Sequence, residues 1–556
     1  MNSTAPIRSR AAEEGSFQIP LWGVPLIFVL LYVCLFSGLG AIGLVGPDEP
    51  RYAAIARAMS ETHDWITPRL WGTPWFEKPV LYYWTAGIAM RLFGVSEFAA
   101  RLPSSLAALL AVIAVAWTAL RSYGVGAAWY SLLMLPTSVA MIGFSRAASP
   151  DMLFAGLLTA AMAVASEMLQ KPRPGPILRV AFGFFLGAAV LAKGPAAVIL
   201  AGGATLLWAA LSRQWLAPFR FLHPLIIAVF CATALPWYVL CAMRNPDFLR
   251  VFIWQHNFER YLTPIFEHRQ PFWFFGPIFL LGILPWLPLL ITSFFDAYRN
   301  YHFEKRMNSP ALFIATWSLF TLLFFSLSQS KLPGYILPAI PPAVLLIAMS
   351  FVRQIEQHAK GIRLAMACTG IVFPLMVGIV LAKHYVIFDL PFRFGQEPHR
   401  GFLVGLGTAL AGGGLVVGFT ICRKWNGAVC MLACTTVILL LVATRLVLPS
   451  LDEFISVRPI ALGIMGGYPT RLDKFAVFHL PRSYEYGLDY YFQKALPEWT
   501  PEKTEVRFIF SGEQGLEQLA RFPQFDNITQ NKLYMPLEFG QSIFLVDLAL
   551  EKSPGK

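Results

Sequence analysis

Charge is scarce in this chain. Only 14% of its 556 residues are charged, 56% are hydrophobic, and the mean hydropathy is +0.57. A soluble protein of this length would carry far more charge, so the composition excludes a soluble globular protein. We predict a polytopic α-helical membrane protein.

Three further absences narrow the class. The seven cysteines all lie in or beside apolar stretches, which argues against a disulfide framework. No small-residue cleavage site follows the first apolar stretch, so we expect that stretch to remain as a span rather than to act as a signal peptide. There is no basic stripe typical of nucleic-acid binders; the net charge of +12 and pI near 9.4 fit contact with anionic lipid instead.

Thirteen hydrophobic stretches approach the ~20 residues that cross a bilayer. They are Leu21–Gly43, Leu102–Leu120, Val125–Phe144, Met152–Leu169, Leu178–Leu191, Ala196–Leu211, Leu222–Met243, Phe272–Phe295, Ala311–Leu327, Leu332–Phe351, Leu364–Leu381, Phe402–Ile421 and Ala428–Leu448. A shorter apolar stretch, Leu81–Phe93, carries Arg91 and is predicted to be a helix at the membrane interface.

Cations in alternate short connectors predict the orientation. Examples are Arg121, Lys171, Arg213, Arg299, Arg353 and Arg423. These mark the cytoplasmic side, with the N-terminus. An odd number of spans then places the segment from about Pro449 onward on the outer side of the membrane.

The C-terminal segment differs from the rest of the chain. In residues 449–556 the apolar runs shorten to strand length, as in Phe475–Leu480, Val506–Phe510 and Ser542–Leu548. We therefore predict two domains, a membrane domain over residues 1–448 and a small soluble α/β domain over residues 449–556.

Ionisable residues collect in the loops opposite the cytoplasmic side. The first exported loop begins with Asp48, Glu49, Arg51 and Tyr52. Charge at the hydrocarbon boundary is costly unless it is paired, so such residues are functional candidates. The same face would receive Glu77, Lys78, Arg146, Asp151, Lys193, His256, Arg260, Lys331 and Tyr335.

This mixture of charges suits chemistry at a phosphate leaving group. Cations or a metal take up the developing negative charge, while a carboxylate removes a proton from the nucleophile. Simpler readings stay open. Asp48 could be a helix cap, Glu77 and Lys78 an exposed ion pair, Lys193 a snorkelling lysine, and Arg146 the partner of Asp151.

Several stretches resemble one enzyme family, in order along the membrane region. They are GPDEPRYAAIARAM, WITPRLWG, WFEKPVLYYW, FAARLPS, SPDMLFA, LAKGP, WQHNFERY, HRQPFWFF and SKLPGYILP. They resemble the polyprenyl-phosphate-dependent glycosyltransferases of the type C fold that are related to protein O-mannosyltransferases, and most of all the 4-amino-4-deoxy-L-arabinose lipid A transferases. The resemblance implies an integral-membrane enzyme that takes a sugar from a polyprenyl phosphate and passes it to lipid A.

The resemblance also implies roles for residues. Asp48 would be the general base or positioning carboxylate, and Asp151 a second active-site carboxylate. Glu77 and His256 would be metal ligands; imidazole with carboxylate suits zinc better than magnesium, although the two residues have no testable ligand spacing. The resemblance implies that Lys78, Arg260, Lys331 and Tyr335 bind the donor phosphate. The full predicted substrate-binding set is Glu49, Arg51, Tyr52, Lys78, Tyr82, Arg146, Lys193, Arg260, Lys331 and Tyr335.

Two classes of function compete. A glycosyltransferase, expected to be a monomer, would bind a lipid-linked donor in an apolar groove. A flippase for the same lipid would place polar residues near the bilayer midplane, often in repeated halves, and this chain has no detectable repeat. Within the enzyme class the acceptor stays open between lipid A phosphate and a protein or another envelope lipid, with a different sugar also possible.

Overall fold

Apolar helices make up most of the chain, as the long hydrophobic runs predict. We analysed the protein as a computed structural model. It describes residues 19–263, 270–306, 310–359, 361–387, 396–467, 472–502, 505–519, 521–522, 530–533 and 543–547.

The helices of the membrane region follow the predicted stretches closely. They are α1 Gly23–Leu31, α2 Asp48–Thr62, α3 Leu81–Phe93, α4 Glu97–Tyr123, α5 Val125–Met134, α6 Val139–Ser145, α7 Pro150–Gln170, α8 Pro176–Lys193, α9 Ala196–Ser212, α10 Pro224–Arg244, α11 Arg260–Leu262, α12 Phe275–Ile283, α13 Leu287–Arg306, α14 Pro310–Ser326, α15 Ile340–Glu356, α16 Gly361–Ile387, α17 Gln396–Ile421 and α18 Trp425–Val442. Segments Tyr32–Phe36, Arg250–Glu259 and Ala443–Val447 are π-helical, and Ala217–Leu222 and Pro333–Ala339 are 3₁₀ helices.

Each predicted stretch lies on one or more of these helices. Within the described residues, eight helices are long and apolar enough to cross a membrane, or up to 10 if two bent pairs each count as one span. Three shorter apolar helices, at Gly23–Phe36, Ala196–Ser212 and Pro310–Ser326, accompany them. The polytopic helical fold is therefore confirmed, and the count of thirteen stays a prediction.

Prolines explain the two bent pairs. The axes of α5 and α6 differ by 59°, and those of α12 and α13 by 107°. Pro136 and Pro285 lie in the connecting residues, and proline has no backbone N–H with which to continue a helix. Leu284, before Pro285, is also outside the helical conformation. Hydropathy alone read each pair as one continuous stretch because it does not register backbone breaks.

Helix α7 is the centre of the membrane region. The membrane-spanning window of this helix is completely buried within the protein. Small residues allow its neighbours to approach closely: a Cβ on Gly156 would lie 2.3 Å from the carbonyl oxygen of Ala107 on α4. The N-terminus of α7, where Asp151 lies, is therefore fixed by packing on several sides.

The first loop, residues 37–96, folds into structure of its own. It contains α2, a short antiparallel hairpin of β1 (Arg69–Leu70) and β2 (Thr73–Pro74), and α3, whose bounds are those predicted for the interfacial helix. Helices α2 and α3 pack closely, since a Cβ on Gly87 would lie 2.9 Å from the carbonyl oxygen of Ala56.

The C-terminal region contains the predicted small α/β unit. Its elements are α19 Leu448–Ile455, α20 Arg458–Gly467, β3 Phe475–Phe478, α21 Arg482–Phe492, β4 Phe508–Ser511, α22 Glu513–Leu519, β5 Gln530–Leu533 and β6 Ile543–Asp547. The four strands form one sheet in the order β3-β4-β6-β5, with β3 and β4 parallel and the other pairs antiparallel. Strands β3, β4 and β6 lie on the three predicted runs, and β5 was not predicted. The last membrane helix runs past the expected boundary at 448, since Trp425–Ile455 qualifies as one span.

The buried carboxyl of Asp489 makes the stability of this C-terminal unit depend on pH. The residue is 2% exposed, and its Oδ1 accepts a hydrogen bond of 2.8 Å from the amide of Leu496. Burial raises the pKa of Asp489 to about 7. The folded state thus holds a proton that the unfolded chain releases near pH 4, and this contribution to stability is lost as pH rises through 7.

We expect Asp489→Asn to stabilise the unit above pH 7 relative to the wild type, by up to about 4 kcal/mol, and to change little near pH 4. Pulse proteolysis of the full-length protein at a series of pH values, with variant and wild type compared at each, measures this difference. The exposed Asp473 provides the control, Asp473→Asn. Equal pH dependence in wild type and Asp489→Asn would contradict the assignment.

Candidate active site

Asp48 opens α2 at the start of the first loop. Negative charge is favourable at a helix N-terminus, and Pro50 occupies the first turn, where its missing N–H is not needed. The Asp48 side chain remains 50% exposed, and the guanidinium of Arg51, one turn later, lies 2.5 Å from its Oδ1. Partial burial raises the pKa of Asp48 above its ordinary value. Asp48 is therefore a carboxylate that a substrate can reach.

Glu77 joins Arg51 to the rest of the site. Its Oε2 lies 3.0 Å from Arg51, and its Oε1 lies 3.3 Å from both Lys78 and Arg260. The Glu77 side chain is only 10% exposed. Burial by itself would raise its pKa, but Lys78, Arg51 and Arg260 outweigh burial and hold the pKa below its usual range. Glu77 is thus ionised and shared by three cations.

A second ion pair, Asp151 with Lys193, lies nearby. Asp151 is in the first turn of α7 and Lys193 ends α8, so packed helices position both. The Lys193 ammonium also lies 4.4 Å from the ring centroid of Tyr335. The Lys-Leu-Pro-Gly-Tyr segment can approach because a Cβ on Gly334 would lie 2.7 Å from Asp151 Oδ2. Lys78 interacts electrostatically with Glu77, Asp48 and Lys193, which links the two groups.

His256 lies beside Glu77 on the π-helical segment Arg250–Glu259. Burial lowers the pKa of His256 to about 4, and the neighbouring cations Lys78 and Arg260 add to this effect while Glu77 opposes it. The imidazole is therefore neutral at physiological pH. A neutral ring can accept a hydrogen bond or ligate a metal.

Protein side chains supply too few ligands for the predicted metal site. Structural zinc is bound by four ligands and catalytic zinc by three from the protein. The part of the chain that the structure describes contains no group of three or more His, Cys, Asp and Glu side chains placed to hold an ion. Three cations also compete for the Glu77 carboxylate. Glu77 and His256 alone therefore do not fit a protein-built zinc centre, and no chemical step below depends on one.

A cavity of about 370 Å³ begins at these charges and runs between apolar helices. Glu77, Lys78, Lys193, His256, Arg260 and Tyr335 line its charged end. Ile199, Phe252, Phe258, Leu262, Phe324 and Phe325 line the rest. We call this the apolar cavity. Its shape suits a ligand with a long apolar tail and an anionic head.

A second cavity of about 500 Å³ shares Glu77 and His256 with the first. Trp75, Phe76, Arg244, Asp247 and Arg250 are among its lining residues, so it is more polar than the apolar cavity. The two residues predicted to be metal ligands thus lie in the walls of both cavities.

Nine of the predicted residues meet in one charged cluster. They are Asp48, Arg51, Glu77, Lys78, Asp151, Lys193, His256, Arg260 and Tyr335. Tyr52 supports them, because the Arg51 guanidinium lies 5.2 Å from its ring centroid and the ring itself is 3% exposed. The structure brings five segments of the chain together at this point.

Glu49, although adjacent to Asp48, is not available to a substrate. Its Oε2 lies 2.6 Å from Arg101 and 2.9 Å from the amide of Val45, and its Oε1 accepts a hydrogen bond of 2.6 Å from the amide of Ala148. Arg101 also donates to the carbonyls of Leu39, Ile42 and Gly43. The prediction of Glu49 as a substrate ligand is corrected, because both oxygens are used inside the fold.

Arg146 and Tyr82 are corrected for the same reason. The Arg146 guanidinium donates to the carbonyls of Val33 and Ser37, in and just after the π-helical segment Tyr32–Phe36, rather than to Asp151. The Tyr82 hydroxyl donates to the carbonyl of Ala100 at 2.8 Å, and the residue is 1% exposed. Both side chains fix backbone near the site and do not face the cavities.

Lys331 lies at the rim of the cluster. Its ammonium donates to the carbonyl of Ser328, and the side chain is buried. Ser328 and Ser330 line the apolar cavity, whereas Lys331 does not. Its predicted role as a phosphate ligand is therefore not reflected in its contacts.

The sequence pointed only indirectly to two residues of the site. Arg101 was part of a resembling stretch, but nothing in that stretch indicates a partner fifty residues earlier. Tyr486, from the C-terminal domain, lies with its ring centroid 5.9 Å from the Arg51 guanidinium. No local pattern in a soluble helix indicates contact with a membrane-domain loop.

Comparison of the sequence with known proteins identifies relatives of this chain. Residues 21–252 match the family described as dolichyl-phosphate-mannose-protein mannosyltransferase. An undecaprenyl phosphate-alpha-4-amino-4-deoxy-L-arabinose arabinosyl transferase from Aeromonas salmonicida is 30% identical over 427 residues, 74% of each protein. The protein of that name from Edwardsiella ictaluri is 32% identical over 342 residues, 61% of this chain and 60% of the relative.

Among solved structures, the fold is similar to that of ArnT from Cupriavidus metallidurans bound to undecaprenyl phosphate. The TM-score is 0.72, with 22% identity over 96% of this chain and 99% of the other. At this identity the likeness establishes the fold alone.

The buried Glu49–Arg101 pair should determine stability. Removing one partner of a buried pair leaves an uncompensated charge and costs about 3–5 kcal/mol. We expect Arg101→Ala to lower the unfolding temperature strongly in detergent. Arg250→Ala, which removes the exposed pair of Arg250 with Asp247, should cost no more than about 1 kcal/mol. Similar unfolding temperatures for the two variants would contradict this.

Proposed function

The chain belongs to the undecaprenyl phosphate-alpha-4-amino-4-deoxy-L-arabinose arabinosyl transferase family, and on this basis we propose that it transfers 4-amino-4-deoxy-L-arabinose from undecaprenyl phosphate to a phosphate group of lipid A. One observation carries the proposal. A half-exposed carboxylate, Asp48, is paired with Arg51, which also contacts Glu77 at the charged end of the apolar cavity.

The apolar cavity is the proposed donor site. Its aromatic and aliphatic walls suit the polyprenyl chain, which enters sideways from the bilayer. Lys78, Lys193 and Arg260 are placed to receive the phosphate at the charged end. Hydrogen bonds between cations and phosphate are roughly twice as strong as neutral ones, so these residues would hold the head group while lipid packing holds the chain.

Transfer would proceed by direct displacement. An acceptor oxygen attacks the anomeric carbon, the bond from that carbon to the donor phosphate oxygen breaks, and undecaprenyl phosphate leaves with the bonding electrons. Asp48 orients the acceptor and takes its proton where the oxygen carries one. The cations stabilise the negative charge that develops on the leaving phosphate. A single displacement inverts the anomeric centre.

Arg51 and Glu77 would hold Asp48 ready for this step. Arg51 contacts both carboxylates. Because Arg51 stays paired with Glu77, its guanidinium is held in place and in turn fixes the Asp48 carboxylate. A divalent cation at Glu77 and His256 stays a prediction separate from this mechanism.

We infer an inner-membrane location with the charged cluster and the C-terminal domain on the periplasmic side. The cation distribution in the short connectors supports this orientation, and the C-terminal domain packs against the first loop, which places both on one face. Adding an amino sugar to lipid A would reduce the negative charge of the cell surface and weaken the binding of cationic peptides such as polymyxin.

The decisive experiment uses the purified full-length protein in detergent with undecaprenyl phosphate-linked 4-amino-4-deoxy-L-arabinose and lipid A. Mass spectrometry should detect lipid A that carries the added sugar. A sugar moved onto a protein or another lipid would replace the proposed acceptor. Absence of any new glycosidic bond, with the donor intact, would overturn the enzyme in favour of a lipid flippase.

Asp48→Asn should lower kcat by about 10²–10⁴-fold, the usual contribution of a general base, and leave donor binding unchanged. Because the pKa of Asp48 is raised, wild-type kcat should fall as pH drops through that pKa, and the residual activity of the variant should lack this acid limb. Glu61→Gln, which changes an exposed carboxylate at the far end of the same helix, serves as the control. Full transfer by Asp48→Asn would rule out the assigned role.

Lys78→Met should weaken binding of undecaprenyl phosphate by about 10–100-fold, since a hydrogen bond to a charged group contributes about 1.5–3 kcal/mol. Affinity for undecaprenol, which has the same chain and no phosphate, should not change. Titration in detergent measures both constants, with Lys171→Met as the control because Lys171 lies on a distant connector. An equal loss for both lipids would contradict the assignment of Lys78 to the head group.

A further inference from the structure

The C-terminal domain contacts the backbone just before Asp48. Asp452 accepts a hydrogen bond of 2.7 Å from the amide of Gly43, and the Tyr491 hydroxyl accepts one of 2.9 Å from the amide of Leu44. Tyr491 also donates to Glu97 at 2.8 Å. These bonds join residues more than 390 positions apart in the sequence, so the domain is docked at a defined place.

Helix α21 makes the contact closest to the charged cluster. Tyr486 and Tyr490 are four residues apart and therefore share one face of this helix. Tyr490 is 4% exposed and packs with the hydrophobic core of the membrane region. Its neighbour on the same face, Tyr486, points its ring at Arg51 of α2, with 5.9 Å between ring centroid and guanidinium carbon.

Three rings surround the Arg51 guanidinium. Tyr52 and Trp75, both from the first loop, lie 5.2 and 5.5 Å away, and Tyr486 supplies the third at 5.9 Å. The Arg51 side chain is 13% exposed, and its Nε is buried without a hydrogen-bond partner among the described residues. Aromatic faces therefore substitute for water around a guanidinium whose Nη2 contacts both Asp48 and Glu77.

We propose that the C-terminal domain completes the active site, with Tyr486 as a positioning residue that fixes Arg51 and, through Arg51, the carboxylates of Asp48 and Glu77. The inference rests on the proposed transferase function. It assigns to this domain a part in catalysis, in addition to any contact it makes with an acceptor. The relevant feature is the aromatic ring rather than the hydroxyl, because the ring face is what meets the cation.

The test compares Tyr486→Ala with Tyr486→Phe in the full-length enzyme. Loss of the ring should lower kcat about tenfold, the scale of a cation–π contact that is largely shielded from water, and should alter KM for the donor little. Arg51 lowers the pKa of Asp48, so an Arg51 side chain that is no longer held in place should lower it less. The acid limb of the pH profile of kcat should then move to higher pH. Tyr486→Phe keeps the ring and should behave as the wild type in both respects.

Tyr484→Ala is the matched control. It makes the same change two residues away, at a side chain that packs in the hydrophobic core of the C-terminal domain. A general weakening of that domain would lower activity in both alanine variants and leave the acid limb in place. Wild-type kcat in Tyr486→Ala, an unmoved acid limb, or equal defects in Tyr486→Phe and Tyr486→Ala would each overturn the proposal.

A second measurement separates this inference from the proposed function. Hydrogen–deuterium exchange of the peptide covering Asp48–Thr62 needs no substrate, and it should rise in Tyr486→Ala but not in Tyr486→Phe or Tyr484→Ala. If the wild-type enzyme transfers nothing from the named donor, the proposed function fails and the exchange result alone decides the role of Tyr486. Unchanged exchange in Tyr486→Ala would refute the positioning role in either case.

Discussion

The sharing of one buried carboxylate among three cations is the interaction on which the site depends. Glu77 receives Arg51 from α2, Lys78 from its own loop, and Arg260 from the segment after the π-helix. Each cation would be costly to bury alone. Together they neutralise Glu77 and leave a net positive charge facing the apolar cavity. An incoming lipid phosphate would neutralise this net positive charge.

Asp48 and Glu49 are adjacent in the sequence, but Glu49 stabilises the fold and Asp48 is available to a substrate. Both carboxylate oxygens of Glu49 are occupied by Arg101 and backbone amides, whereas half of the Asp48 side chain is open. The difference arises because successive residues on a helix point about 100° apart. The Glu49 carboxylate faces the protein core and anchors the loop, and the Asp48 carboxylate stays half exposed beside Arg51.

The sequence indicated much of this arrangement. Hydropathy located the helices because lipid imposes a length and an apolar surface, and the interfacial helix Leu81–Phe93 has the predicted bounds. Charge at a loop boundary pointed to Asp48, Glu77 and Asp151. Pattern could not separate Glu49, Arg146 and Tyr82 from true site residues, because an ionisable or phenolic side chain near a site can face either backbone or substrate. The Tyr486 contact depends on domain docking, which leaves no local signal.

The position of α21 on the first loop also bears on how the enzyme matures. Asp452 and Tyr491, which bond to the amides of residues 43 and 44, are made more than 400 residues after them. The loop that carries Asp48 therefore lacks these contacts until the C-terminal domain has been synthesised and has folded. A nascent protein without that domain would hold the apolar cavity without a finished catalytic face, so catalytic competence would follow the folding of the C-terminal domain.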